Sequence, residues 1–212
     1  MISAYDLLRP TKTQTKKPSI WKTEAIEELR RSGSIAVLDS GNYEAMRFRA
    51  PDWKRSKRRL SQALERIEVD LAFTHDRFPA IVNSVTELHV SQRIEEVAHE
   101  YDRDKERASC AISPIIHAPR LPNNQYAYQY LPEICLGVAK ATHAKVIAVA
   151  ERELGEGIYQ RAKTIAEIRK ALGTDEDSSL LHVLGTGNPI SAAILSYAGA
   201  DFFDGLEWCR TA

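Results

Sequence analysis

Short apolar runs alternate along the chain with longer amphipathic stretches. Each run has a continuous core of about four to six Val, Ile, Leu, Phe or Ala residues, a length typical of strands. Continuous runs of this kind are typical of parallel sheets, in which the strands are buried on both faces. The runs occupy residues 34–41, 69–76, 110–118, 145–151, 180–187 and 200–205.

The amphipathic stretches have apolar residues at helical spacing and predict helices. Asp52 is placed to cap one helix, Gly173 to end another, and Pro189 lies in the first turn of a third. The predicted helices fall within residues 21–33, 52–67, 85–101, 131–144, 157–173 and 188–199.

This alternation predicts a βα repeat, either an α/β barrel or a doubly wound open sheet. Only about six βα units are recognisable, whereas a closed barrel has eight strands. Residues 1–33 contain one predicted helix and no convincing strand. We therefore expect an N-terminal extension over 1–33 and, over 34–212, a TIM-barrel-like (β/α)8 domain that is shortened or incomplete.

Composition narrows the class of protein. The 212 residues suit one large domain or two small ones, and 29 basic residues balance 29 acidic ones. Cys110, Cys135 and Cys209 are widely spaced, which argues against a zinc site and a disulfide framework. No apolar run approaches the roughly 18 residues of a membrane helix, and the N-terminus lacks an apolar signal region. We expect reduced thiols, a cytoplasmic protein, and neither metal nor other cofactor.

Polar residues follow the predicted strands at their carboxyl ends, where α/β folds place their functional residues. Any one of them is also an ordinary turn residue. Several carboxylates converging on one edge repel each other, which favours a role in chemistry or ligand binding. The residues are Asp39, Asp76, His117, Glu151, Asp204 and the Gly185–Gly187 turn.

Five ordered motifs resemble those of the tRNA-guanine transglycosylases. "VLDSGNYEA" resembles the Asp-Ser-Gly-Gly-Phe-Gln motif, and "DLAFTHD" resembles Asp-Ile-Ala-Val-Pro-Leu-Asp. "PIIHA" takes the place of Val-Val-Gln-Gly, and "RELGEG" that of Leu-Ala/Ser-Val-Gly-Glu. "LLHVLGTGNP" followed by "DFFDG" resembles the late turn, helix and nucleophile strand. The set covers about residues 34 to 208.

The resemblance implies a base-exchanging N-glycosyl enzyme with a covalent aspartyl–sugar intermediate. Asp204 is then the nucleophile and Asp39 the general acid/base, as in retaining glycosidases. The implied substrate-binding residues are Ser40, Tyr43, Asp76, His117, Ala150, Glu151, Glu156, Gly185 and Gly187.

The sequence departs from the family pattern in the base pocket, at Asn42-Tyr43-Glu44, His117-Ala118 and Ala150-Glu151. The family's zinc subdomain, which helps to hold tRNA, has no counterpart before the last residue. We therefore favour DNA slightly over tRNA as the substrate, with guanine or 7-deazaguanine as the base. The ending "FDGLEW" also resembles the DNA-modifying branch.

Two other segments are candidates for nucleic-acid contact. The basic cluster Lys54, Arg55, Lys57, Arg58 and Arg59 suits phosphate binding, or a solvated helix face. Tyr43 and the tyrosines of "NNQYAYQY" (123–130) suit stacking on a base, or packing within a loop.

Two alternatives stay open. In the first, the chain is a barrel subunit that acts with a partner chain or as a homodimer, because strands of the barrel are missing. In the second, it is an unrelated phosphate-binding α/β barrel enzyme. The second alternative places a phosphate at the Gly187–Asn188 amides, because glycine turns before helices suit anions. It gives Asp39 no role.

Overall fold

The computed structural model describes residues 1–4, 20–41 and 56–205. The chain divides into two compact units. Unit 1 comprises residues 1–76 and 100–113, and unit 2 comprises residues 77–99 and 114–212. The predicted division into an extension and a single barrel domain stays a prediction.

Unit 1 contains a parallel four-stranded sheet whose strands follow each other in chain order. Its strands are β1 (Ile2–Ser3), β2 (Val37–Asp39), β3 (Leu71–Phe73) and β4 (Ala111–Ser113). The helices α1 (Ile20–Arg31) and α2 (Ser56–Leu64) lie between successive strands. Helix α3 (Glu87–Lys105) contributes residues 100–105 to this unit and residues 87–99 to unit 2.

Unit 2 contains a second parallel four-stranded sheet, again in chain order. Its strands are β5 (Ile115–Ile116), β6 (Val146–Ala150), β7 (Leu180–Leu184) and β8 (Phe202–Phe203). They alternate with α4 (Leu131–Thr142), α5 (Gly157–Leu172) and α6 (Pro189–Tyr197).

The core of unit 2 explains why these segments fold as they do. The three middle residues of β6 and of β7 are buried, as expected for strands covered on both faces. Helix α5 turns Ile165 and Ile168 inward, three residues apart on one face. A Cβ on Gly137 of α4 would clash with the side chain of Ile94. Glycine therefore allows α3 and α4 to approach closely.

The predicted α/β class with parallel strands is confirmed, and a described helix lies in each of the predicted helical stretches. The number of strands was wrong: the described residues contain eight rather than about six. Residues 1–33, for which we expected no strand, contain β1, and the run 110–118 holds both β4 and β5. The chain passes from one sheet to the other at Pro114, which has no amide proton for a ladder. Among the described residues the strands form two four-stranded sheets and no closed sheet, so the barrel stays a prediction.

One arginine organises the amino-terminal edge of the sheet in unit 2. Arg169 of α5 donates to the carbonyl oxygens of Gly173, Gly199 and Ser179, at 3.4, 3.0 and 3.0 Å, and to the carboxylate of Asp201. Asp201 Oδ2 also accepts a hydrogen bond from the Leu181 amide at 2.7 Å. The side chain therefore ties helix α5 to the beginnings of β7 and β8.

In unit 1, too, an arginine, an aspartate and a backbone amide are hydrogen-bonded at the start of neighbouring strands. Asp70, directly before β3, accepts from the Ala36 amide at 2.7 Å and from Arg30 Nε at 3.3 Å. Arg30 lies on α1, which precedes β2. In both units an Arg–Asp pair thus fixes the start of one strand to its neighbour through a backbone amide.

We predict that Arg169→Ala lowers the free energy of unfolding by about 2 kcal/mol or more, because it removes charge-assisted hydrogen bonds and leaves carbonyls unsatisfied. Urea denaturation measures this change. The adjacent, exposed Lys170→Ala is the control and should differ little from wild type. Equal losses in the two variants would show that Arg169 has no special structural role.

Candidate functional site

The polar residues of unit 2 lie at one edge of its sheet. His117 follows β5, Ala150 ends β6 and precedes Glu151, Gly185 follows β7, and Asp204 follows β8. Because the four strands are parallel and pair in sequence, their carboxyl ends share an edge. The positions predicted for these residues at strand ends are therefore confirmed, whereas their roles stay predictions.

Asp204 is held by the turn after β7. Its Oδ1 atom accepts a hydrogen bond from the Gly185 amide at 2.6 Å. The same oxygen is 3.8 Å from His182 Nε2, and the Asp204 side chain is 16% exposed. His182 lies on β7, with its ring centroid 6.1 Å from that of Phe202 on β8. Asp204 is thus a partly accessible carboxylate beside a histidine that we did not single out from the sequence.

Two positions beside the Asp204 carboxylate, Gly185 and Gly205, require glycine. Gly185 has a φ of +81°, in the left-handed region that favours glycine. A Cβ on Gly205 would clash with the backbone of Thr186 and Gly187. The residue after Asp204 therefore packs directly on the turn, which brings the two segments close together.

The same turn leads into α6 with its own cap. Asn188 Oδ1 accepts from the Ile190 and Ser191 amides, at 2.9 and 3.3 Å. This side chain satisfies amide groups that an anion at a helix N-terminus would otherwise bind. The Ile190 and Ser191 amides are therefore not available to an anion, whereas the proposed phosphate position at the Gly187–Asn188 amides stays a prediction.

Glu151 and Glu156, which follow β6, have different environments. Arg161 Nη1 donates to Glu151 Oε1 at 2.6 Å, while its Nε donates to the Gly155 carbonyl at 3.2 Å. Glu156 is exposed and directly precedes α5. Glu151 is therefore already engaged in an ion pair, so a ligand that contacts it has to share the carboxylate with Arg161.

A buried acid–histidine pair lies in the same unit. Glu153 Oε1 is 2.8 Å from His117 Nδ1, and Glu153 Oε2 accepts from the Ala118 amide at 3.0 Å. The two side chains are 2% (His117) and 1% (Glu153) exposed. Sequence reasoning selected His117 but missed Glu153, because a Glu between Arg152 and Leu154 in a polar segment looks like a surface residue.

Unit 1 holds two of the predicted acidic residues on neighbouring strands. Asp39 ends β2, and its Oδ2 accepts from the Gly41 amide at 2.9 Å. Asp76 is largely buried three residues after β3, as is Ser40 directly after β2. The structure therefore places Asp39 and Asp76 at the same edge of the sheet in unit 1, since β2 and β3 pair in parallel.

The chain beside Asp76 is held by a buried carboxylate. Asp104 Oδ2 accepts from the His75 amide at 2.9 Å, and Asp104 Oδ1 accepts from Arg103 Nη2 at 2.6 Å. Burial raises the pKa of Asp104, although both of these donors oppose the shift. The carboxylate therefore positions the backbone next to Asp76.

The candidate nucleic-acid contacts are only partly described. Lys57 Nζ donates to Glu100 Oε1 at 3.0 Å, Arg58 is exposed and Arg59 is half-buried. Lys54, Arg55 and Tyr43 lie outside the described residues. The tyrosines at 126, 128 and 130 are half-buried in a loop with bridges from Arg120 to Ile81 and to Tyr126. Their packing fits the simpler interpretation of a folded loop.

The described residues bring the predicted site together as two groups. Asp39, Ser40 and Asp76 belong to unit 1, whereas the residues from His117 onwards belong to unit 2. Among all the residues that the structure describes, no cluster of three or more His, Cys, Asp or Glu side chains is suited to hold a metal ion. No described helix is long and apolar enough to cross a membrane.

Comparison with known proteins adds no assignment. No protein-family model matches the chain, and no curated protein matches its sequence. The functional argument therefore depends on the residues and their geometry.

We predict that Asn188→Ala lowers the free energy of unfolding by about 1 kcal/mol, because it removes the cap of α6. Asn188→Asp keeps an acceptor oxygen at the same place and should retain most of the stability. Thermal unfolding of the three proteins in matched buffers, with and without millimolar inorganic phosphate, checks both the cap and the phosphate site. Strong stabilisation of wild type by phosphate would contradict our interpretation of the turn.

Proposed function

We propose that the chain catalyses base exchange or base removal at an N-glycosidic bond in nucleic acid, with Asp204 as the nucleophile. The observation that carries the proposal is the position of Asp204, a partly accessible carboxylate after β8 held by the Gly185 amide. A bond from a backbone amide fixes the position of one carboxylate oxygen. A pre-positioned carboxylate of this kind suits attack on a sugar carbon.

The proposed reaction has two displacement steps. Asp204 attacks C1′ of the sugar as the bond from C1′ to the base nitrogen breaks, and the electron pair leaves with the base. A general acid protonates the departing base, and the resemblance assigns that role to Asp39. The incoming base or water then attacks C1′, gives its proton to Asp39 and releases the Asp204 carboxylate.

The substrate in this proposal is DNA or tRNA that contains guanine or a 7-deazaguanine, with DNA to be tested first. His117, Ala150 and Glu151 are the proposed base contacts of unit 2, and Asp76 that of unit 1. The reaction requires neither a metal ion nor a redox cofactor, because the carboxylates carry both the covalent and the proton-transfer steps.

We also propose that the eight strands form the two halves of one (β/α)8 barrel. The support is that each sheet is parallel and ordered in sequence, with helices between its strands. The described residues contain eight strands, so the shortage of strands that suggested a partner subunit no longer supports that alternative.

We predict that Asp204→Asn lowers exchange of labelled guanine by about 10³-fold or more, because removal of a nucleophile abolishes the covalent route. The Asn side chain keeps an oxygen that can accept from the Gly185 amide, so the variant should fold. The measurements are incorporation of label into an oligonucleotide and a denaturant-stable protein–nucleic acid adduct.

Asp177→Asn is the matched control, since Asp177 is fully exposed and, among the described residues, forms an ion pair with the exposed Lys145 at 3.4 Å. It should exchange base at the wild-type rate. The proposal fails if the wild-type protein forms no adduct and releases or exchanges no base, or if Asp204→Asn equals the control.

A further inference from the structure

Arg152 differs from the other arginines of unit 2 in what its terminal nitrogens contact. The other described arginines of this unit each place a terminal nitrogen against a carboxylate or an amide oxygen; they are Arg77, Arg93, Arg120, Arg161 and Arg169. Arg152 Nε lies 3.7 Å from Glu153 Oε1, but within the described residues neither terminal nitrogen of Arg152 has a hydrogen bond or an ion pair. The side chain is 49% exposed. Arg152 therefore presents unused donors on an accessible side chain.

Contacts on its inner side orient this guanidinium group. Its central carbon lies over the Phe78 ring, 5.4 Å from the ring centroid, where a cation and an aromatic face attract each other. The Phe78 ring is itself packed against the imidazole of His117, with centroids 4.7 Å apart. The guanidinium is therefore held by its face and by Nε, which leaves the terminal nitrogens for a further partner.

The two carboxylates next to Arg152 in sequence have closer donors. Glu151 Oε1 accepts from Arg161 Nη1 at 2.6 Å. Glu153 Oε1 is 2.8 Å from His117 Nδ1, closer than it is to Arg152 Nε. The positive charge of Arg152 is therefore only partly offset by its neighbours.

The strand register relates Arg152 to Asp204. The last residue of β6 pairs with Leu184 of β7, and the residue before Leu184 pairs with Phe203, directly before Asp204. Because β6 and β8 are second neighbours in this sheet, their backbones lie about 10 Å apart. A nucleic-acid strand in a helix advances about 3.4 Å per nucleotide, so this distance corresponds to about three nucleotides. A strand whose sugar reaches Asp204 therefore passes within reach of Arg152.

The proposed chemistry gives such a cation a purpose. Attack on the sugar requires Asp204 as a carboxylate, and Glu151 is a second acidic residue at the same edge of the sheet. These groups repel the phosphates of an approaching strand. Arginine suits the opposite task, because its planar group can donate two parallel hydrogen bonds to one phosphate.

We propose that Arg152 binds a phosphate group of the nucleic-acid strand and thereby holds that strand at the carboxyl edge of unit 2. This inference rests on the proposed function for the place at which the strand reacts. A phosphate contact carries no sequence information, so Arg152 contributes affinity and position rather than the choice of base. The ligand at this residue is the polymer, and not the free base.

Equilibrium binding of fluorescent single-stranded DNA to the full chain tests this contact without requiring the reaction. For Arg152→Gln we expect binding to weaken about tenfold, because one charge-assisted contact is lost. The slope of log K against log salt should decrease in magnitude by about 0.7, the value for one phosphate on a single strand. Both changes should be the same for a guanine-containing and a thymine-only oligonucleotide, since every nucleotide carries the same phosphate.

Arg66→Gln is the matched control. Arg66 is exposed, forms no ion pair with a described residue, and lies between α2 and β3, away from the carboxyl edge. It should bind DNA with the wild-type affinity and salt slope. Arg152→Lys keeps the charge without the planar group, so it should retain the slope and lose only part of the affinity.

A second substitution covers the case in which Arg152→Gln does not fold. Arg152→Met keeps an apolar side chain over Phe78 and removes the charge, so it should show the same loss of affinity and slope. Its thermal unfolding, measured beside the wild-type protein, separates a loss of packing from a loss of the phosphate contact.

Three results would overturn the inference. The first is an Arg152→Gln variant that binds DNA as Arg66→Gln does. The second is a loss confined to the guanine-containing oligonucleotide, which would mean that Arg152 contacts a base. The third is a wild-type protein that binds free deoxyguanosine monophosphate as tightly as the oligonucleotide, because the ligand is then a nucleotide and not a strand.

The binding and exchange assays together separate this inference from the proposed function. A protein that binds DNA through Arg152 but exchanges no base retains the inference and overturns the proposed function. Exchange by Arg152→Gln with the wild-type KM for DNA has the opposite meaning. A wild-type protein that binds no oligonucleotide overturns both.

Discussion

The bonds from Arg169 and Asp201 determine where β8 begins, and the proposed site depends on that position. Strand β8 has only two residues, so its ladder supplies few hydrogen bonds to fix its register. Asp201 compensates by accepting from the Leu181 amide at 2.7 Å while it is held by Arg169. Three residues later Asp204 reaches the Gly185 amide at the other end of β7. The register at one edge of the sheet therefore sets the geometry of the carboxylate at the opposite edge.

Buried carboxylates perform a related task at the carboxyl edges of both sheets. In unit 1 Asp104 accepts from the His75 amide beside Asp76, and in unit 2 Glu153 accepts from the Ala118 amide beside His117. Asp104 lies on α3, which follows β3, whereas Glu153 follows β6, the neighbour of β5 in the sheet. Charge-assisted hydrogen bonds offset part of the cost of burying each carboxylate. Segments after strands have no ladder to hold them, so these contacts give the polar strand-end residues defined positions.

The sequence was sufficient for features that many residues share, and insufficient for those that depend on one contact. Helical spacing over ten or more residues predicted the helices, and continuous apolar runs predicted six strand regions. A two-residue strand such as β1 carries no period, and the apolar run 110–118 hides a change of sheet at Pro114. Glu153, Arg169 and His182 were missed because burial of a polar residue depends on partners distant in sequence. One signal for Glu153 was present, since it stands where the motif that "RELGEG" resembles has Ala or Ser.

The glycine turn after β7 illustrates how geometry can change the interpretation of a motif. "GTGNP" suits a cradle for phosphate, because glycines allow close approach and a helix N-terminus attracts anions. In the structure the chain itself uses several of these groups. The Gly185 amide binds Asp204, Gly205 packs against Gly187, and Asn188 binds the first amides of α6. Because the Gly185 amide is used by the carboxylate of Asp204, this part of the turn is better explained as the support of that carboxylate. The turn thus contributes to the site by holding Asp204 in place.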